Sequence, residues 1–166
     1  VLKAVDNNTE DVTGDLVGHE RGIIDSNIYN DGTGASVLTG GRRFSDSCST
    51  DIFIHMDGQE VFKFAVKSVP TAIETLLHNN NMDINDVDKF ILHQANVRII
   101  ESVAKRLKAD KDKFPVNLNE YGNTSSASIP ILLDELNRNG SLKQGEKLVL
   151  AGFGAGLSWG SILLVW

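Results

Sequence analysis

Residues 157–166, Leu-Ser-Trp-Gly-Ser-Ile-Leu-Leu-Val-Trp, read as a strand that is apolar on both faces. Such a strand needs cover on both sides and belongs at the centre of a sheet, not at its edge. The glycine turn Gly152-Phe153-Gly154-Ala155-Gly156 joins it to another apolar run at 147–151, which predicts an antiparallel return. Further upstream, short apolar runs at 52–56, 88–92 and 116–118 alternate with helical patterns over 61–77, 97–108 and 125–138. In the second of these, Ile100, Val103, Ala104 and Leu107 keep the i, i+3, i+4, i+7 spacing of one buried face. Pro70 is expected to interrupt or kink the first helix, and Pro130 predicts a late start or a kink in the third. Thr124 or Ser125 is the expected cap of that third helix, and Asn139-Gly140 its stop. The order implies an α/β fold with a mainly parallel sheet, crossover connections and one antiparallel return.

The first third of the chain is different. Residues 1–5 read as the tail of a strand and 22–29 as a second strand, antiparallel to the first in an edge hairpin. A glycine- and serine-rich connection follows to residue 51 and is the expected boundary between units 1–51 and 52–166. There is no initiator methionine, so further chain is expected upstream.

Composition narrows the function. With 41% hydrophobic and 23% charged residues over 166 positions, the chain suits a globular domain with a sizeable core. The net charge of −6 argues against nucleic acid as the main partner. No apolar run approaches the roughly 20 residues of a membrane helix, and nothing resembles a signal peptide. The single cysteine forms no internal disulfide, so a reducing, cytoplasmic setting is the expectation.

Two segments carry chemistry. Phe90-Ile91-Leu92-His93-Gln94-Ala95-Asn96 and Tyr121-Gly122-Asn123-Thr124-Ser125-Ser126-Ala127-Ser128 put a histidine and an asparagine just past apolar runs, where α/β proteins build sites. A neutral imidazole and a carboxamide offer two aimed donors for an oxygen that gains charge, and backbone N–H groups in the glycine turn could serve a second one. The competing reading of a lone histidine after a strand is a structural hydrogen-bonder. His19, His55 and His78 lack spacing partners for a metal, and none is expected. Ser125, Ser126 and Ser128 have no placed base, and capping accounts for at least one of them. Cys48 lies in a polar loop with nothing nearby to lower its pKa, so no covalent nucleophile is expected in this chain.

His93-Gln94-Ala95-Asn96-Val97-Arg98-Ile99-Ile100, Gly122-Asn123-Thr124-Ser125-Ser126-Ala127-Ser128 and Phe153-Gly154-Ala155-Gly156-Leu157-Ser158-Trp159-Gly160-Ser161 together resemble β-ketoacyl-acyl carrier protein synthase III. Met56-Asp57-Gly58-Gln59-Glu60-Val61-Phe62-Lys63 resembles the same family at the matching place. The resemblance implies a thiolase-like fold of two βαβαβ halves. This chain would be the C-terminal half at 52–166, with a mixed five-stranded sheet, plus a remnant hairpin of the N-terminal half at 1–51. It implies an acyltransferase that condenses an acyl-CoA primer with malonyl-acyl carrier protein to begin fatty acid or related polyketide synthesis, with no resident cofactor. His93 and Asn123 would be two members of a Cys-His-Asn site whose cysteine lies in the N-terminal half. The chain alone is therefore expected to be inactive, and its partners are the acyl carrier protein, the missing half and, in the complete protein, a second copy.

By the same resemblance, Gly154, Ala155 and Gly156 form the acyl oxyanion turn. Gln94, Ala95, Asn96, Val97 and Arg98 dock the carrier. Gly58, Phe62, Asn96 and Phe153 line the coenzyme A and acyl channel, although Phe62 at helical spacing is equally readable as core. Independently of the family, Arg98 and Lys105 lie seven residues apart on one helix face with Lys108 nearby, extended by Lys111 and Lys113. Two other readings are a noncatalytic carrier-protein or thioester-binding module and a different thiolase-fold acyltransferase.

Overall fold

The computed structural model describes residues 21–40 and 54–166. Its main sheet contains β1 (Gly22–Asn30), β4 (Lys89–Leu92), β5 (Lys147–Gly154) and β6 (Ser158–Val165), in the order β1-β6-β5-β4. A two-stranded ribbon pairs β2 (Leu38–Gly40) with β3 (Ile54–Met56). The helices are α1 (Gly58–Asn79), α2 (Val97–Leu107), the single turn α3 (Leu118–Tyr121) and α4 (Ser128–Arg138). Residues 1–5 and Cys48, including the proposed pairing of 1–5 with 22–29, lie outside the described residues.

Period-two alternation sorts the core into two layers. Phe90, Leu92, Val149, Ala151 and Leu163 point to one face and pack with α1 and α2 through Ala65, Val69, Ile73, Ile100 and Val103. Their neighbours Ile91, Leu148 and Leu164 point to the other face and meet Leu132 and Leu136 of α4. The sheet is thus sandwiched between helices, and β6 sits inside it between β1 and β5, as its two apolar faces require.

Several expectations are corrected. The sheet is mixed, but it has four strands among the described residues, and only β4 and β5 run parallel. Both pairings of β6 are antiparallel. Of the run at 52–56, the described residues 54–56 pair with β2 and not with the main sheet, and Ile54 and Met56 are exposed in that ribbon. The run at 116–118 is no strand, because Asn117 gives its N–H to Gln94 Oε1 and its side-chain amide to Glu135, and α3 begins beside it. The strand at 22–29 extends the main sheet by pairing with β6. The register shift between Ile23 and Asp25 lets Ile24 pack against the core.

α1 runs through Pro70 without a break. Proline lacks the N–H that would bond the carbonyl four residues back, which is that of Val66. Arg106 of α2 reaches that carbonyl at 3.5 Å. α4 starts late, as Pro130 predicts: a 3₁₀ turn at Ser125–Ala127 precedes Ser128–Arg138.

Candidate active site

β4 ends at Leu92 and delivers His93 beyond the sheet. The His93 N–H donates to Ala151 O at 2.8 Å, which carries the β4/β5 ladder one residue further and fixes the backbone of the histidine. Its imidazole is half-buried, with Phe153 packed edge-on at 5.4 Å between centroids. Burial holds the imidazole below its ordinary pKa of 6.5, so the ring is neutral at pH 7.

The Nδ1 atom of that ring lies 2.7 Å from Ser128 Oγ. Ser128, at the start of α4, is only 2% exposed, and the same Oγ accepts the Gln94 N–H at 3.1 Å. Sequence reading missed this serine because a cap at the start of a helix explained it sufficiently. Its five-residue distance from Asn123 is the signal that could have found it: any fold that brings the Asn123 segment to His93 also brings Ser128.

Asn123 is exposed, and its Oδ1 accepts the N–H of Ser125 at 3.0 Å. Ser125 has φ of 54°, a left-handed conformation that aims its N–H back at the asparagine. This bond orients the carboxamide, so the Nδ2 amine is the end left to face outward. His93 and Asn123 therefore have their second polar ends occupied by serine residues of one segment, 125–128.

The glycine turn closes β5 onto β6, with Ala155 and Gly156 exposed and Leu157 buried. Leu157 exchanges two 2.7 Å backbone hydrogen bonds with Asp31, so the turn is anchored just past β1. Gly156 has φ of 140°, and a Cβ there would strike Ser158, so no other residue fits. Phe153 also packs edge-on to Phe64, which in turn meets Trp159, and these rings continue the apolar wall beside the histidine.

The expected docking segment divides. Gln94 is 0% exposed: its amide donates to Leu92 O and its Oε1 accepts from the Asn117 N–H, so its side chain is a buried brace. Ala95 is half-buried, Asn96 caps α2 by accepting the Arg98 N–H at 2.8 Å, and Val97 and Arg98 are exposed. Lys105, Lys108 and Lys111 are exposed as well. Lys113 is not available to the patch, because its ammonium donates to the carbonyls of Asn85 and Val87. Gly58 is exposed at the start of α1, and Phe62 packs half-buried against the main core.

Residues 77–166 match the family model for the C-terminal part of 3-oxoacyl-[acyl-carrier-protein] synthase III. The chain is 44% identical over 162 residues to a β-ketoacyl-[acyl-carrier-protein] synthase III of Clostridium tetani, an alignment of 89% of this chain and 48% of that protein. It is 55% identical over 113 residues to the Pyropia yezoensis protein of the same name, covering 68% of this chain and 35% of that one. The crystal structure of the Thermus thermophilus synthase III superposes with a TM-score of 0.82 at 37% identity, over 90% of this chain and 48% of that one. The chain spans about half the length of the curated relatives it matches. Its α/β architecture is thiolase-like, as the sequence resemblance implies. The matched residues include His93, Asn123 and the glycine turn, and the chain belongs to the 3-oxoacyl-[acyl-carrier-protein] synthase III C-terminal family.

Proposed function

We propose that this chain supplies the enolate-stabilising part of a β-ketoacyl-acyl carrier protein synthase III site. His93 Nε2 and Asn123 Nδ2 would donate to the thioester oxygen of malonyl-acyl carrier protein. As the C–C bond to the carboxylate breaks and carbon dioxide leaves, the electron pair moves onto that thioester as an enolate, and two aimed donors lower the energy of that charge. The enolate carbon then attacks an acyl group taken from acyl-CoA by a cysteine of the half this chain does not span. The new C–C bond forms, the thiolate leaves, and a β-ketoacyl thioester results.

One observation carries the reading. Ser128 Oγ lies beside Nδ1 of His93 and the Ser125 N–H is bonded to Oδ1 of Asn123, so each side chain has a donor end left for a ligand. The backbone N–H groups of Gly154 to Gly156 would receive the acyl oxygen, with Phe153 shaping the pocket. Gly58, Phe62 and Asn96 would border the channel. The segment Gln94 to Arg98 would meet the acidic carrier, with Val97 and Arg98 presenting exposed side chains and the buried Gln94 side chain bracing the segment from within.

The test uses the chain together with the cysteine-bearing half, followed by separate assays of acylation and of malonyl-thioester decarboxylation. His93→Ala and Asn123→Ala should each lower decarboxylation by about 10² to 10³, the usual loss for one such donor, with a smaller effect on acylation. Equal losses in both steps would overturn the enolate role. The chain alone should form no acyl-enzyme.

A further inference from the structure

Ser128 Oγ lies between the His93 ring and the Gln94 backbone, behind the donor pair itself. Ser128 Oγ has a single proton and two lone pairs. The Gln94 N–H occupies one lone pair, and the one other hydrogen-bond partner of this oxygen among the described residues is His93 Nδ1. Two proton arrangements are open at that 2.7 Å contact. If Nδ1 carried the proton, it would donate to Oγ, and the serine proton would be left without an acceptor at a buried position. If the serine proton goes to Nδ1, every group is satisfied and the imidazole proton must sit on Nε2.

From this we infer that Ser128 is a positioning residue that holds His93 in the Nε2-protonated tautomer. An unsatisfied buried donor is disfavoured strongly enough to skew the two tautomers by about tenfold or more. Gln94 is part of the device: its backbone N–H takes one lone pair of Oγ and, being a donor itself, offers the serine proton no acceptor other than Nδ1. Its buried side chain, bonded to Leu92 O and the Asn117 N–H, keeps that N–H in place. The buried glutamine in the segment His93 to Asn96 thus acts on the histidine beside it.

The functional meaning rests on the reading above, since only the Nε2–H tautomer of a neutral ring can donate outward. The structural claim is measurable without substrate, by nitrogen NMR of the histidine-labelled chain, with His93→Gln identifying the resonances. Expected are a pyridine-type Nδ1 and a pyrrole-type Nε2 for His93 in the unmodified chain. Ser128→Ala should turn this into a tautomer mixture, and Ser128→Thr, which keeps Oγ, should restore it. A pyrrole-type Nδ1 in the unmodified chain overturns the inference, and that spectrum decides even if Ser128→Ala does not fold. A tautomer unchanged in a folded Ser128→Ala also overturns it. An Nε2-protonated His93 in a reconstituted enzyme that decarboxylates no malonyl thioester would support the role of Ser128 and sink the condensation reading instead.

Discussion

His93 makes opposing demands on the chain: it must be dry enough to stay neutral and open enough to meet a ligand. Its folded pKa lies below the ordinary 6.5, so in the window between the two values the unfolded chain binds a proton that the folded chain refuses. Stability from this group is complete above about pH 6.5 and is lost as pH falls through that window. Urea midpoints at about pH 7.5 and about pH 5.5 should therefore differ more for the unmodified chain than for His93→Asn, in which this titration is gone. Equal differences would mean that the ring is solvated when folded. At this scale the sequence was only partly legible. His93 and Asn123 announce themselves by standing after apolar runs, whereas Gln94 looks like its exposed neighbours on paper. Only the fold reveals that its side chain turns inward to bridge Leu92 and Asn117.

Among the elements, α2 was the most readable, because Ile100, Val103, Ala104 and Leu107 all fall on its buried side. Its end was not. Lys108 caps it in the left-handed conformation at φ of 54°, a position where glycine avoids the Cβ penalty. Lys108→Gly should stabilise the chain by about 1 kcal/mol, visible as a higher thermal midpoint. No gain would mean that the lysine stem covers enough apolar surface to compensate. The short runs at 52–56 and 116–118 differ from expectation for a shared reason: three to five residues give little usable period, and a polar residue within the run then decides. His55 and Asn117 are those residues. A converse case is Gly160, whose added Cβ would collide with the backbone oxygen of Asn27 across the β1/β6 ladder. Gly160→Ala is expected to cost about 1 to 3 kcal/mol, as an overpacked core does, and a wild-type denaturation midpoint would contradict that close approach.

For the whole molecule, the arrangement of charge is local, since a net −6 coexists with exposed Arg98, Lys105 and Lys108 on and beside α2. Glu101 interrupts that face and Arg106 is drawn toward Val66 O, so the outward basic surface is smaller than the sequence count implies. If an acidic carrier docks there, Arg98→Glu should weaken its binding more at low salt than at high, because an exposed contact is screened. Unchanged affinity in a titration would move the docking surface elsewhere. The α/β class was legible from alternating patterns. The sheet order was not, because which strand neighbours which depends on long-range pairing that local periodicity does not encode. The pairing of β1 with β6 also has a consequence for how the chain is made. Among the described strands, β6 inside the sheet comes last in the chain, and it is the one described strand that pairs with β1. Helices can form early, but closure of the sheet, and with it the anchoring of the glycine turn to Asp31, must wait for residues 158–165 to emerge. During translation the edge of β1 that β6 covers lacks that partner, and the interval before β6 arrives is the stage most exposed to misassembly.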